Sequence, residues 1–281
     1  MKKALIIIVS AILIVAAVIG LRLYSDYRKF MALDVIKVDP QLTVFLGGGG
    51  NSLVLTSEDG RQALVVDTKM RGATGELRDA VKAEDIIIVN THFHHDHTGG
   101  NALYEKARII SGAYDRGAWA EAAGKNRYPD ITLKPGEEKE LKIGSETVLL
   151  RNMGRAHTAN DIVAYLKNRK FLATGDLVFL EVHPAILAKS GANVGLWVKV
   201  LEDLPKRYDI QKLMPGHGRL SDRTALTVMR DYFTSIRDAV GNSEKLDALR
   251  KKYSGYFSIT GITGFDKTAA FIEKEKKGED R

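Results

Sequence analysis

The 281-residue chain reads as an α/β domain carried behind an N-terminal transmembrane helix, and two patterns predict it. Ala4 to Leu21 is an uncharged, almost wholly apolar run of eighteen residues, long enough to approach a bilayer's ~30 Å hydrocarbon core. Beyond it, short apolar runs alternate with helical patterns, as sheets covered by helices require. Residues 40–281 suffice for one large domain with a real core, and no internal repeat or low-complexity segment divides them.

Residues 1–23 are expected to be an uncleaved membrane anchor. A cleaved secretory signal is the competing reading, but its apolar region is normally about 7–15 residues ending in a small-residue site, and Val18-Ile19-Gly20 makes a poor one. A buried soluble helix comes third. Lys2 and Lys3 compete with Arg22, Arg28 and Lys29 for orientation; a very short tail before one apolar segment behaves like an export signal, which places the domain outside the cytoplasm, in a bacterial periplasm. The absence of Cys agrees with that compartment.

Residues 24–39 read as a short charged connector. Leu46-Gly47-Gly48-Gly49-Gly50-Asn51-Ser52 lacks the Gly-Lys-Ser/Thr ending of a phosphate loop and runs into strand-like Leu53 to Thr56, so it reads as a hairpin connection with a flexible rim. Strands are expected at Ala63 to Val66, Ile86 to Val89, Thr147 to Leu150, Ile162 to Leu166 and Phe171 to Ala173, and helices near Gly75 to Lys82, Asn101 to Lys106, Gly195 to Leu204 and Asp222 to Val240. Tyr253, Tyr256, Phe257 and Phe265 read as packing surface, with a lid or dimer contact as the alternative, and Glu273 to Arg281 as a frayed, solvated end.

The formal charge of +7 invites a nucleic-acid reading. Yet the first 29 residues hold five Lys or Arg and one Asp, leaving 37 basic against 34 acidic residues beyond them. That balance offers no basic stripe for tracking a phosphate backbone, and no nucleic-acid partner is expected.

The chemistry is concentrated in Thr91-His92-Phe93-His94-His95-Asp96-His97, which follows the apolar run Ile86 to Val89 and holds four of the chain's seven histidines. Imidazole nitrogen and carboxylate oxygen bind transition metals, and an H-x-H-x-D-H spacing on a tight turn leaving a strand aims several of them into one volume. A solvated polar loop would account for one or two histidines. Three later glycine-containing fragments each add a ligand at the end of a strand-like segment: Gly154-Arg155-Ala156-His157-Thr158, Ala173-Thr174-Gly175-Asp176 and Pro215-Gly216-His217-Gly218. Singly, each is more often turn chemistry; in this order and company they point to a metal site.

From about Leu42 to about Leu220 these motifs resemble the metallo-β-lactamase-fold hydrolase superfamily. The resemblance implies an αββα sandwich with two metals at one edge. It also implies that His92, His94 and His157 hold one metal, that Asp96, His97 and His217 hold the other, and that Asp176 bridges them. Leu64-Val65-Val66-Asp67-Thr68 looks like the family's opening motif, whose Asp67 supports the metal turn from behind the ligands. The text around His157, Asp161 and Thr174 to Phe179 is most similar to the glyoxalase II-like and quinoprotein-relay-type branch. Zinc β-lactamases usually carry Cys or Ser where Asp176 stands, so antibiotic hydrolysis is not expected as the main activity. Only Arg219 to Arg281 follow the last ligand, short of glyoxalase II's helical glutathione-binding domain.

Two divalent ions about 3.5–4 Å apart can share a water and lower its pKa from 15.7 to about 7. The expectation is therefore a hydrolase that uses a metal-bridging hydroxide on a small ester, thioester or related substrate, with Asp96 orienting the hydroxide as well as binding metal. Two zinc ions are the first choice, and iron or manganese also suit the N/O donor set. His95 is expected to point away from the cage. His183, in the loop after Asp176, is a candidate substrate contact, or an ordinary loop histidine. The alternatives are a nuclease or phosphodiesterase of the same fold, oxygen chemistry with a flavin partner for which no appended domain is visible, and a non-catalytic metal-binding protein.

Overall fold

A computed structural model describes residues 2–124 and 126–278. The apolar run lies in helix α1 (Lys2–Phe30), which is longer than the apolar stretch itself. Large side chains along it, from Ile6 to Leu21, are 47–69% exposed, with no protein surface to cover them. Residues 24–39, expected as a connector, instead finish α1 and then form the edge strand β1 (Leu33–Lys37). Its residues Leu33 to Lys37 pair antiparallel with Gly47 to Thr43. Sequence period alone gives an edge strand little signal, because only one side of it is bonded and half-buried.

Among the described residues, twelve strands make two sheets. The first runs β1, β2 (Leu42–Gly47), β3 (Ser52–Thr56), β4 (Gln62–Val66), β5 (Asp85–Val89), β6 (Arg108–Gly112), β7 (Ile131–Leu133), in that spatial order. The hairpin expected around residues 46–52 joins β2 to β3, with Phe45 opposite Ser52. From β4 onward the pairing is parallel, and α2 (Thr74–Ala80), α3 (His95–Thr98) and α4 (Arg116–Ala122) lie in the connections. The helix expected at 101–106 is a single 3-10 turn, Asn101–Leu103. The second sheet is ordered β12-β11-β10-β9-β8, from β8 (Glu138–Ile143), β9 (Glu146–Asn152), β10 (Ile162–Leu166), β11 (Phe171–Ala173) and β12 (Lys212–Met214).

Period-2 alternation in strands buried on both faces builds four layers. Leu64 and Val66 of β4 meet Ile162, Ala164 and Leu166 of β10 between the sheets. The intervening Val65 faces outward into a cluster with Leu77 of α2. On the other side, Val163 and Tyr165 pack with Trp197 and Leu201 of α5 (Val194–Arg207) and with Met229 and Phe233 of α6 (Thr224–Ala239). The order α-β-β-α matches the expected sandwich. Beyond α6 come α7 (Ser243–Lys252) and α8 (Phe265–Lys277), with Tyr253 and Phe265 buried as packing residues. Glu273 to Lys277 continue α8 rather than fraying, and residues 279–281 of that expected tail lie outside the described residues.

At one end of the sandwich, Arg169 clasps the sheets. Its Nε donates to Asp39 Oδ2 at 2.8 Å before β2, and a terminal nitrogen donates to buried Glu146 Oε2 at 2.6 Å on β9. The opposite end carries the site.

Candidate metal centre

Four loops converge there, each leaving the carboxyl end of a strand. β5 is followed by the turn that carries His92 and His94, then by α3 with Asp96 and His97. His157 lies between β9 and β10, Asp176 on the 3-10 turn Gly175–Leu177 after β11, and His217 after β12. All seven residues predicted as ligands are brought together, in two groups: His92, His94, His157 and Asp176, then Asp96, His97 and His217. The ligand atoms of each group lie within 4.8 Å of one another, and each group takes members from both sheets.

Asp176 stands between the groups. Its Oδ2 is 3.3 Å from His157 Nε2 and 3.7 Å from His92 Nε2, while Oδ1 is 3.0 Å from His97 Nε2 and 3.4 Å from His217 Nε2. Asp96 Oδ2 lies 3.2 Å from His217 Nε2, and His94 Nδ1 lies 3.0 Å from His157 Nε2. Buried polar atoms are ordinarily satisfied, yet His92 Nε2, His97 Nε2 and Asp176 Oδ1 have no hydrogen-bond partner. Inward-facing orphans of mixed N/O type fit divalent cations. The close approach demands glycine: a Cβ on Gly216 would overlap Asp176 Oδ1, and one on Gly50 would overlap the His97 ring.

Behind the imidazoles, hydrogen bonds set their orientation. Asp67 follows β4, fully buried, and its Oδ2 lies 2.7 Å from His97 Nδ1. An Nδ1–H donated to this carboxylate turns Nε2 inward, where it would serve as the ligand atom. The same carboxylate accepts from Thr91 N and Thr91 Oγ1, both at 2.8 Å, and Thr91 Oγ1 lies 3.1 Å from His92 Nδ1. Asp67 thus lies behind the turn that carries these histidines, bonded to both His97 and Thr91.

Several supports escaped the sequence. Ser190 Oγ lies 2.8 Å from His94 Nε2 across 96 residues of chain. Asn51 ties the β2–β3 hairpin to the His217 loop, its side-chain amide donating to Pro215 O and Gly218 O. Lys69, buried and at φ 65°, donates to the carbonyls of Phe45, Gly47 and Gly50 at 2.6–2.9 Å, so the glycine rim is pinned rather than loose. Asp161, which flanks His157 in the sequence, accepts from Thr158 N and Thr158 Oγ1 and so holds the His157 loop.

Burial and mutual charge sort the site's protons. Burial pushes His92 well below its usual value and His157 down to about 3, keeping both imidazoles neutral with lone pairs free. Burial opposes ionisation of Asp176 too, but the imidazoles of His217 and His97 outweigh it and hold the carboxyl well below the carboxylate range. Asp96 is likewise lowered against burial by His97 and His217. Burial, helped by the charge of Asp176, pushes the Asp161 carboxyl up to about 7 against its Thr158 hydrogen bonds.

The centre opens into a cavity of about 770 Å³. His95 is exposed and belongs to neither ligand group. His183 lines the cavity wall, but its Nδ1 is engaged 2.7 Å from the phenolic Oη of Tyr232, and its backbone N donates to Phe257 O.

This sandwich with its strand-end histidines defines a class, and comparison with known proteins gives the same one. The family described as "Metallo-beta-lactamase superfamily" matches residues 46–243, and the chain belongs to it. It is 32% identical over 184 residues to metallo-beta-lactamase type 2 of Bacillus cereus, covering 63% of this chain and 70% of that protein. It is 24% identical over 259 residues to the mitochondrial hydroxyacylglutathione hydrolase of Saccharomyces cerevisiae, covering 85% and 87%. Among solved structures, a metallo-beta-lactamase from Pontibacter korlensis superposes with TM-score 0.59 at 22% identity over 70% of this chain and 96% of that one, a likeness of fold.

Proposed function

We propose that the protein is a membrane-anchored, dinuclear metal-dependent hydrolase of a small ester, thioester or related substrate. The observation that carries the reading is Asp176, whose two oxygens face the two ligand groups separately. His92, His94 and His157 would hold one cation, and Asp96, His97 and His217 the other, with zinc as the first choice. When bound, such a pair supplies an ionised water at neutral pH and polarises the substrate oxygen.

The chain's own residues do the rest. Asp176 and Asp96 remain ionised because neighbouring imidazoles hold their pKa values down, and Asp67 and Ser190 fix the rings of His97 and His94. Asp96, 21% exposed at its side chain and lining the cavity, is the catalytic candidate: ionised at neutral pH, it can accept a hydrogen bond from the attacking water and orient it. The acyl–heteroatom bond breaks as the water oxygen bonds to the acyl carbon, giving a carboxylic acid and an alcohol or thiol.

The hydroxyacylglutathione hydrolase likeness, which spans most of both chains, favours a thioester among these substrates. The β-lactamase likeness is higher in identity over a shorter stretch; Asp176 and the absence of Cys weigh against a β-lactam as main substrate. The anchor reading is supported by how α1 joins the domain. Gly49 N donates to Phe30 O at 3.1 Å, and Asp26 Oδ2 accepts from Thr260 Oγ1 at 2.7 Å. The periplasmic placement and the absence of a nucleic-acid partner stand as proposals beside it.

Elemental analysis of freshly purified protein, with a screen of thioesters, lactones, β-lactams and phosphodiesters, tests the function. His94→Ala and Asp176→Ala should each lose metal and turnover together. Near-normal hydrolysis by either would refute the mechanism, and a metal-loaded parent inert to every class would leave the binding-protein reading.

A further inference from the structure

The cavity over the metal centre is walled on one side by the end of α1 itself. Leu23, Tyr27 and Phe30 line it together with Val182, Leu187 and Ile262 from the domain, and the lining is mostly apolar. Phe30 stacks 5.9 Å from the His217 ring, so the helix reaches the candidate ligands directly. At the rim, Leu23, Tyr27, Leu187 and Ile262 are 44, 55, 37 and 58% exposed.

At 1.5 Å per residue, the apolar run from Ala4 to Leu21 nearly spans a bilayer core. Leu23 to Phe30 then lie within roughly 10 Å of its boundary. Tyr24 and Tyr27 are exposed at that level, where aromatic side chains favour the membrane interface. A water-borne polar substrate needs no such arrangement. An apolar cleft whose α1 wall begins just beyond the apolar run, ending at the candidate metal centre, suits a substrate whose acyl chain passes from a bilayer into the protein.

We infer that the substrate is an amphiphilic long-chain acyl ester or thioester drawn from the membrane, its chain in the cleft beside α1 and its carbonyl at Asp96 and Asp176. The inference rests on the hydrolase and anchor readings above and narrows their substrate. Hydrolysis splits the acyl–oxygen or acyl–sulfur bond with one water, releasing a fatty carboxylate and a polar alcohol or thiol.

Two measurements on the full-length protein in phosphatidylcholine vesicles test it. The first is turnover of p-nitrophenyl esters from acetyl to dodecanoyl: kcat/KM should rise with each added methylene, by up to about fourfold per methylene for the short esters that start in water, until the cleft is filled. In Ile262→Asp that slope should flatten while acetyl-ester turnover persists. A flat or falling series in the parent, with acetyl ester still cleaved, overturns the long-chain substrate and leaves the hydrolase standing. The second needs no turnover: irradiation of a diazirine-bearing hexadecanoate in the same vesicles, with peptide mapping of the label. Label on Leu187 and Ile262 supports the cleft, even where no ester is cleaved and the hydrolase reading fails; label confined to Ile6 to Leu21 overturns it.

Discussion

Replacing Asp67 with Asn removes a charge and little volume from behind His97. The carboxylate meets three donors: His97 Nδ1 at 2.7 Å, and Thr91 N and Oγ1 at 2.8 Å each. An amide offers one oxygen in their place, so at least one buried donor loses its acceptor at a cost of about 1–3 kcal/mol. The larger consequence lies at the metal. Without the carboxylate, the tautomer that turns the Nε2 lone pair inward loses its anchor, and such supporting partners are worth 10–100-fold in metal affinity. That range corresponds to about 1.4–2.7 kcal/mol. Competition titration against a chromophoric chelator reads the affinity, and thermal unfolding of the metal-free protein reads the structural cost separately. A folded Asp67→Asn protein that binds metal within twofold of the parent would refute the claim that Asp67 orients His97.

Ser190→Ala should lower metal affinity about tenfold by the same titration, since it frees only the His94 ring, while leaving thermal stability near the parent's. Arg169→Met leaves Glu146, only 1% exposed at its side chain, without its cation; urea unfolding should show a loss of about 3–5 kcal/mol, with metal content retained. Burial pushes the Lys69 amine down to about 7 from 10.5. The folded chain therefore releases this proton before the unfolded chain does, and stability relative to Lys69→Met should rise with pH between about 7 and 10.5 and stay level below 7, checked by denaturant unfolding across that range.

The candidate cluster was legible because its densest part is local: one seven-residue turn after β5 holds four of seven histidines. The core strands were legible for a similar reason, as β10 and β11 begin and end where their apolar runs do. What escaped depends on distant partners. Ser190 is one serine among many until the fold sets it beside His94, and nothing local distinguishes a lysine that will cap three carbonyls. Asp161 stood in view beside His157, but its role needs the turn that brings Thr158 N onto it. The stretch 24–39 read as a linker because its charges mask a helix end and a strand defined by its β2 neighbour.

Because each ligand group draws on both sheets, neither half of the sandwich holds a working centre alone. Arg169 keeps the far end fastened without any metal ion, so stripping a metal bound at the candidate centre should let the layers part at that margin first, as a book opens away from its spine. Activity would then vanish while nearly all secondary structure persists, making loss of turnover an earlier sign of damage than any change in circular dichroism.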